Sequence, residues 1–314
     1  MEQGKRWITK LETLPIAIKG VTCQQAVAYR HGLYDTIFDV VIIDEAARAN
    51  PLDLLIPMAL GKKIILVGDH KQLPHILEPA FEQEHELVDH SFEEIYKKSL
   101  FERLYQQLPI TKKVMLTKQF RMTPVIGELV SRLFYDGHLE HGLTSEQLVN
   151  DTGMYNERAI AWLDIPYHVG GEQGRYINRE EAQRIITEVR QLLEKAPQYD
   201  GRIGVITFYK EQQQLLETML ESAGLQKRVQ CGTVDAFQGK ECDVIYLSTV
   251  RSNQHKKVYR ALGFLRSRNR FNVALSRARR LVVIVGDAAT LRQEQMFADV
   301  YTYIEEHGYI GNDY

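Results

Sequence analysis

The sequence of 314 residues has few cysteines and only a small net charge of −2. Cys23, Cys231 and Cys242 are widely spaced and form no Cys-x-x-Cys pair. This usage excludes a disulfide framework or a structural zinc site and is typical of a reduced intracellular protein. Since 39 lysines and arginines oppose 41 aspartates and glutamates, no global positive field indicates a polyanionic partner. A local basic groove remains compatible with that total.

Long hydrophobic runs are also missing, which excludes a membrane-spanning segment. The N-terminal stretch MEQGKRWITKLETLPIAIKG mixes charged and apolar residues and has the pattern of neither a secretory nor a transit signal. The sequence therefore predicts a soluble protein of the cytoplasm, or of the nucleus in a eukaryote.

Residues 40–74 contain two apolar runs that end in acids. Residues 40–43 precede Asp44 and Glu45, and residues 64–67 come shortly before Asp69. This pattern is typical of parallel strands that are buried on both faces and carry polar residues at the rim where α/β sheets bind ligands. The intervening NPLDLLIPMALG has helical spacing, an Asn-Pro start signal and a Gly stop signal. We therefore expect a strand–helix–strand unit with its acids at one edge.

The rest of the chain predicts a second parallel sheet. This sheet is expected from the alternation of strands and helices over 202–287, and one further strand is expected at AIAWLDI. Strands are also expected at 14–18 and at KVMLT (113–117), where the pattern of the first sheet ends. Asn178, with Glu181 three residues later, predicts the capped start of a helix. His85, Glu86 and His90 resemble a zinc-binding His-Glu-x-x-His but have the wrong spacing, which favours a solvated loop. The predicted fold class is α/β, with a domain boundary near Thr117.

The Asp44–Glu45 pair has a chemical use beyond ending a strand. Taken alone, such a pair more often only marks the end of a buried strand. Magnesium prefers carboxylate and water oxygens, and an NTPase needs one acid near the metal and one to orient the attacking water. Adjacent acids at a strand end can divide these tasks.

Six segments that occur in order carry a resemblance to a known family. They are VIIDEAA, VGDHKQLP, LTKQFRM, ITFYKEQ, TVDAFQGKECDVIYLSTVRSN and GFLRSRNRFNVALSRARRLVVIVGD, and they span residues 40–287. The chain resembles the core of superfamily 1 helicases, in the 5′-to-3′ subgroup with the nonsense-mediated decay helicase, senataxin-type helicases and the immunoglobulin μ-binding helicase. The resemblance implies two RecA-like parallel-sheet domains, residues 1–117 and 118–314, that couple ATP hydrolysis to movement along single-stranded DNA or RNA.

The resemblance also implies a role for each matching residue. Asp44 would hold Mg²⁺, Glu45 the catalytic water, and Gln72 would sense the γ-phosphate of ATP. Arg121 and Arg277 would act as arginine fingers, which suits a planar, permanently charged guanidinium. The implied nucleotide contacts are Phe120 on the base, and Gly239 and Glu241 on the phosphates and ribose. The implied nucleic-acid contacts are Thr207, Tyr209, Thr233 and Arg251.

Several of these residues have an ordinary structural alternative. Arg277, Arg279 and Arg280 could be cations at a helix C-terminus, an interpretation that fits Arg279 and Arg280 well. Phe120 could be a core aromatic and Gln72 a surface amide. Residues 256–270 carry six cations interrupted by Tyr259 and Phe264, a pattern that fits a solvated loop as well as a nucleic-acid surface.

One motif of the family is absent. Nowhere does the sequence contain the phosphate-binding pattern Gly-x-x-x-x-Gly-Lys followed by Ser or Thr. The expectation is that the chain is the C-terminal piece of a longer helicase, that its first domain is incomplete at the N-terminus, and that it is inactive without the missing N-terminal portion. The alternatives are a non-catalytic helicase-like scaffold for nucleic acid or protein, and another NTPase such as one coupled to a nuclease.

Overall fold

The computed structural model describes residues 18–28, 37–73, 99–174 and 176–312. These residues divide into two compact units. One contains the described residues of Met1–His70 and Pro74–Pro109, and the other those of Lys71–Leu73 and Ile110–Tyr314. The domain boundary near Thr117 stays a proposal. The predicted strand at 14–18, apart from Ile18, and the loop with His85, Glu86 and His90 lie outside the described residues.

The first unit contains the predicted strand–helix–strand motif. Its elements are α1 (Cys23–Ala28), β1 (Phe38–Ile43), α2 (Pro51–Met58), β2 (Gly61–Leu66) and α3 (Leu100–Gln107). The two strands are parallel, with Ile43 opposite Leu66. Helix α2 begins where expected, because Oδ1 of Asn50 accepts the backbone N–H of Leu52 at 3.0 Å and Pro51 follows the cap.

The prediction that β1 and β2 are buried on both faces is wrong for the described residues. Val41 and Ile64 pack in a small core with α2, whereas Val40 is 46% exposed and Ile42 is 66% exposed. Side chains alternate between the faces of a strand, so α2 covers one set and leaves the other set exposed.

The second unit is a six-stranded, all-parallel sheet with helices on both faces. The strand order is β10-β5-β9-β8-β6-β7. The strands are β5 (Ile160–Asp164), β6 (Ile203–Thr207), β7 (Val229–Thr233), β8 (Cys242–Ser248), β9 (Ala278–Gly286) and β10 (Tyr309–Gly311), and a separate parallel pair is formed by β3 (Lys118–Gln119) and β4 (Glu140–His141). The predicted α/β class and parallel sheet are confirmed.

Nine helices of the described residues accompany these strands. They are α4 (Pro124–Phe134), α5 (Tyr167–Gly170), α6 (Arg179–Lys195), α7 (Lys210–Ser222), α8 (Val234–Phe237), α9 (Val258–Leu262), α10 (Arg268–Ser276), α11 (Ala288–Leu291) and α12 (Gln295–His307), with 3-10 segments at Ile110–Lys112, Tyr155–Glu157 and Gly263–Arg266. Helices α4, α10 and α12 pack on one face of the sheet, and α6 and α7 pack on the other. No described helix has both the length and the hydrophobicity needed to cross a bilayer.

Two local predictions are wrong. Residues 113–117 form no strand, and Val114 and Leu116 are 81% and 79% exposed. A strand needs a partner for its backbone groups, and pairing with β4 begins only at Lys118. Arg279 and Arg280 are not helix-terminal cations, because α10 ends at Ser276 and both arginines lie in β9.

Candidate functional site

The carboxyl ends of β1 and β2 meet at one edge of the first unit. The backbone N–H of Val67 donates to the carbonyl of Ile43, and that of Ala46 donates to the carbonyl of Val67, both at 2.8 Å. Asp44 and Glu45 follow directly and are exposed. Oδ1 of Asp44 accepts the N–H of Glu45 at 2.9 Å, while Glu45 has φ of +51°. A left-handed non-glycine backbone is uncommon and occurs often at functional sites.

This turn leaves room only for glycine at position 68. A Cβ there would lie 2.8 Å from the backbone nitrogen of Ala47. The exposed carboxylates of Asp44 and Glu45 fit a magnesium ion that keeps several ligands as water and phosphate oxygens. Among the described residues, no group of three or more histidine, cysteine or acidic side chains forms a complete metal cage.

In the second unit, Gln119 shapes the turn that carries Phe120 and Arg121. Its Oε1 accepts the N–H groups of Arg121 and Met122, each at 2.8 Å, and its Nε2 donates to the carbonyl of Met122 at 2.9 Å. Phe120 is 63% exposed, and its ring lies against Gly142, where a Cβ would come within 2.2 Å of it. The turn therefore carries an exposed aromatic ring and an arginine at consecutive positions.

Arg121 forms an ion pair with Glu241. Nε of Arg121 lies 3.0 Å from Oε2 of Glu241, and its Nη1 donates to the carbonyl of Ser276 at 3.4 Å. The other oxygen of Glu241 accepts from Nη2 of Arg202 at 3.2 Å. Sequence reasoning missed Arg202. This residue lies just before β6 and reaches Glu241, just before β8, because β6 and β8 are neighbouring strands.

Arg277 is buried, with 2% of its surface exposed, and its guanidinium is held by several acceptors. Nη1 donates to the carbonyl of Lys240 at 3.2 Å, and Nε donates to the carbonyl of Val273 at 3.2 Å. Nη2 donates to Oγ of Ser276 at 3.0 Å and to Oε1 of Gln72 at 3.3 Å. The structure thus brings two of the predicted γ-phosphate contacts, Gln72 and Arg277, into contact with each other.

The segment that contains Gln72 belongs to the second unit because α10 holds its backbone. Nδ2 of Asn269 donates to the carbonyl of Gln72 at 2.6 Å, and Nδ2 of Asn272 donates to that of Lys71 at 2.9 Å. Gly239, with φ of +76°, lies in the loop before β8 beside Lys240. Gln72, Arg121, Glu241 and Arg277 therefore gather where β8 and β9 begin, the amino edge of the sheet.

The predicted nucleic-acid contacts lie at the opposite, carboxyl edge. Thr207 ends β6 in register with Thr233 of β7 and Ser248 of β8. Thr207, Tyr209 and Arg251 are 0%, 8% and 5% exposed, and Thr233 is half-buried. Burial raises the pKa of the Tyr209 hydroxyl to about 12, so this group stays protonated at neutral pH.

Arg251 connects several loops at this edge. Its Nε lies 2.8 Å from Oε2 of Glu172, its guanidinium lies 5.2 Å from the ring centre of Tyr176, and it donates to the carbonyl of Arg260. These contacts fix Arg251 in the fold and place it beside an aromatic ring.

Glu181 is the main residue of this edge that sequence reasoning missed. It is fully buried, and its Oε2 accepts from Oγ of Ser248 at 2.7 Å and from the N–H of Val250 at 2.8 Å. Val250 has φ of +70°, which is strained for a β-branched residue, so Glu181 stabilises an unfavourable turn. Burial raises the pKa of the Glu181 carboxyl to about 8.

The spacing from Asn178 to Glu181 indicated only half of this arrangement. Oδ1 of Asn178 accepts the N–H of Glu181 at 3.1 Å, which confirms the predicted cap. The backbone N–H of Asn178, however, donates to Oε1 of Gln212 at 2.9 Å and not to Glu181. The carboxylate is therefore available to the strand end instead of closing a capping box.

Two protein families match the chain. Residues 96–289, more than half of the chain, match a family described as an AAA domain, and residues 20–77 match a second family with the same description.

Named relatives match most of the chain. The ATP-dependent helicase NAM7 of Saccharomyces cerevisiae is 36% identical over 92% of this chain and 29% of its own length. An uncharacterised ATP-dependent helicase of Methanocaldococcus jannaschii is 31% identical over 86% of this chain and 40% of its own length. The 5′-3′ DNA helicase ZGRF1 of Mus musculus is 31% identical over 97% of this chain and 16% of its own length. The chain thus spans less than half the length of each.

Among solved structures, the PRRSV helicase is 18% identical in sequence. The match covers 81% of this chain and 35% of the PRRSV helicase chain, with a TM-score of 0.41.

Proposed function

We propose that this chain, which belongs to the AAA-domain family and has the core of superfamily 1 helicases, acts in an ATP-dependent helicase that moves along single-stranded nucleic acid. The observation that supports this proposal most is the separation of two residue groups on one sheet. A cationic group with Gln72, Arg121 and Arg277 lies at the amino edge, and Tyr209 and Arg251 lie at the carboxyl edge. One rigid sheet can therefore relate nucleotide binding to nucleic-acid binding.

Each unit supplies its own residues to ATP hydrolysis. In the first, Asp44 holds Mg²⁺, which neutralises charge on the phosphates when bound, and Glu45 orients the attacking water. In the second, Arg121 and Arg277 stabilise negative charge on the transferring phosphoryl group. Gln72, which is hydrogen-bonded to Arg277, senses the γ-phosphate. Phe120 stacks on the base, Gly239 lies against the phosphates, and Glu241 contacts the ribose.

At the other edge, Thr233 and the edge of the Tyr209 ring contact the strand without reading its sequence, whereas Thr207, which is 0% exposed, and Arg251, which is 5% exposed, position the residues around them. Hydroxyl and guanidinium groups suit backbone phosphates, and an aromatic ring suits a base. The relatives named above are helicases, and one is named as a 5′-to-3′ DNA helicase. We accordingly propose 5′-to-3′ movement on DNA or RNA.

The sequence lacks the phosphate-binding pattern with which P-loop NTPases hold ATP, so we propose little turnover by these 314 residues alone. The test compares nucleic-acid-stimulated ATP hydrolysis and unwinding of 5′- and 3′-tailed DNA and RNA duplexes. The chain is assayed alone and joined to whatever its reading frame encodes upstream, each with and without Glu45→Gln. Glu45-dependent ATP turnover by the joined form, with little turnover by the 314 residues alone, supports the proposal, and substantial turnover by the 314 residues alone contradicts its last part. Nucleic-acid binding without turnover in either form would instead support a non-catalytic scaffold.

A further inference from the structure

Three aromatic side chains from separate segments form a row beside the carboxyl edge of the second unit, in which Tyr176 and Tyr209 are stacked and Phe264 is tilted against Tyr209. The ring centres of Tyr176 and Tyr209 are 4.6 Å apart with an interplanar angle of 17°. The ring centres of Tyr209 and Phe264 are 6.2 Å apart at 47°. Tyr209 is 8% exposed, whereas Tyr176 and Phe264 are 44% and 43% exposed. The stack is therefore anchored at its centre and open to solvent at both ends.

Two arginines accompany the outer rings. The guanidinium of Arg251 lies 5.2 Å from the ring centre of Tyr176, and that of Arg270 lies 3.8 Å from the ring centre of Phe264. Glu172 pairs with Arg251 at 2.8 Å, and Asp235 pairs with Arg270 at 3.5 Å. Cation–π contact and ion pairing together fix both planar cations, so the row is preorganised.

The backbone maintains this arrangement at some cost. Tyr176 has φ of +60°, a left-handed conformation that is unfavourable for a residue with a side chain. The antiparallel bridge between Gln173 and Ile177 closes the loop that carries it. A tyrosine whose only role is to fill the core would be covered by other side chains, whereas this one is held in a strained turn and remains exposed.

We propose that Tyr176, Tyr209 and Phe264, flanked by Arg251 and Arg270, form a platform on which the bases of a single-stranded nucleic acid stack. This inference rests on the proposed function and adds Tyr176, Phe264 and Arg270 to its nucleic-acid surface. Aromatic faces accept any base, so the platform binds strands without sequence preference.

Charge selects nucleic acid over a protein as the occupant. Five further cations of the same segment are exposed, and they are Lys256, Lys257, Arg260, Arg266 and Arg268. The acids closest to the stack, Glu172 and Asp235, are already paired with its arginines. Arg266 is paired with Glu294 at 3.1 Å, but residues 256–270 carry six cations and no acid, and aromatic faces on such a segment match a chain in which bases alternate with phosphates.

The test separates base stacking from phosphate binding. Fluorescence anisotropy measures the affinity of the chain for oligothymidylate and for an abasic strand of equal length and charge. We expect wild type to prefer oligothymidylate. Tyr176→Ala and Phe264→Ala should each weaken that binding by about 5- to 150-fold, the range of one lost base–aromatic stack, and leave abasic binding unchanged. The double variant should show no preference for bases.

Matched variants complete the experiment. Tyr167→Ala removes an aromatic ring that is 46% exposed and outside the stack, and should change neither affinity. Tyr176→Phe retains the ring and should retain the preference for oligothymidylate. Lys256→Ala should lower the affinity for both strands by the same factor. Thermal unfolding of every variant checks the fold.

Two results would overturn the platform. Equal wild-type affinity for both strands, or equal weakening of both by the aromatic variants, would show that phosphates alone are bound, and nucleic-acid binding itself would stand. Failure of wild type to bind either strand would reject the platform and the nucleic-acid surface together.

Discussion

Nη2 of Arg277 donates to Oε1 of Gln72 across 3.3 Å, and the same guanidinium binds the carbonyl of Lys240 and the hydroxyl of Ser276. The arginine is almost completely buried. Its position is therefore fixed by the segment Lys71–Leu73, the loop before β8 and the end of α10. The Arg277 side chain therefore connects Gln72, which we propose to sense the γ-phosphate, to the start of β9.

We predict that Arg277→Met lowers the free energy of unfolding by about 2–4 kcal/mol, because several buried acceptors lose their donor. Gln72→Ala should cost about 1 kcal/mol. Since the two side chains are in contact, the double variant should deviate from additivity by about 0.5–3 kcal/mol. Urea unfolding of the four proteins measures this coupling.

Arg179→Met is the control, since Arg179 is exposed at the start of α6. It should change stability by no more than about 0.5 kcal/mol. Additive losses in the Gln72 and Arg277 variants would show that the hydrogen bond does not couple them.

The second prediction concerns pH. The Glu181 carboxyl has a pKa of about 8 in the folded chain, against an ordinary value of 4.5. The folded state therefore binds a proton that the unfolded state releases between these values, and stability falls as pH rises through that window. The amide of Glu181→Gln resembles the protonated acid. Relative to this variant, the free energy of unfolding of wild type should fall by up to about 1.4 kcal/mol for each unit of pH increase in the window.

Thermal or urea unfolding at pH 5, 7 and 9 measures the difference between the two curves. Glu194→Gln, on an exposed position of the same helix, should run parallel to wild type. If the Glu181→Gln curve also runs parallel to wild type, the proton is not taken up on folding.

Much of the second unit was predictable because local patterns agree with the tertiary structure. Strand β8 is an apolar run and every residue in it is buried, and the Asn178 cap precedes a helix with regular apolar spacing. Residues 113–117 also have the composition of a strand, yet they form none, because composition does not supply a pairing partner.

The candidate sites were predictable only in part, for a different reason. Motif order identifies Arg121, Arg277 and Tyr209, but it does not show that Glu241 pairs with Arg121 or that Glu181 holds Val250. These contacts join segments that are far apart in sequence and depend on strand order, which periodicity does not encode. Arg279 is an example, because its predicted place was a helix C-terminus, whereas α10 ends at Ser276 and Arg279 lies in β9.

The third prediction separates stability from nucleotide binding at Arg121. The side chains of Arg121 and Glu241 are 37% and 34% exposed, so their ion pair contributes no more than about 1 kcal/mol to stability. Exchanging the two residues, Arg121→Glu with Glu241→Arg, should therefore preserve the fold. It should weaken binding of magnesium ATP by about 10- to 100-fold, because a phosphate would meet a carboxylate.

Calorimetric titration with magnesium ATP and urea unfolding give the two quantities. The exchange leaves the net charge unchanged, so the matched control exchanges another ion pair of the second unit, Arg266→Glu with Glu294→Arg, and should leave affinity for magnesium ATP unchanged. Unchanged affinity in the exchanged variant would remove Arg121 from the proposed nucleotide site.

The fourth prediction uses the glycine behind Phe120. A Cβ at Gly142 would approach the Phe120 ring to 2.2 Å, closer than non-bonded atoms tolerate, and the ring is 63% exposed and can rotate away. Gly142→Ala should therefore cost less than about 1 kcal/mol in stability. Because the displaced ring no longer presents its face to the base, ATP affinity should fall about as far as in Phe120→Ala, by 5- to 10-fold.

Gly20→Ala is the matched control, since a Cβ there has no neighbour within 4 Å and should leave affinity unchanged. The decisive comparison is with the triphosphate alone, which lacks a base. Gly142→Ala and Phe120→Ala should bind inorganic triphosphate as wild type does, because only the stacking contact is lost. If both variants lose triphosphate binding as well, the ring supports the phosphate contacts of Arg121 and does not recognise the base.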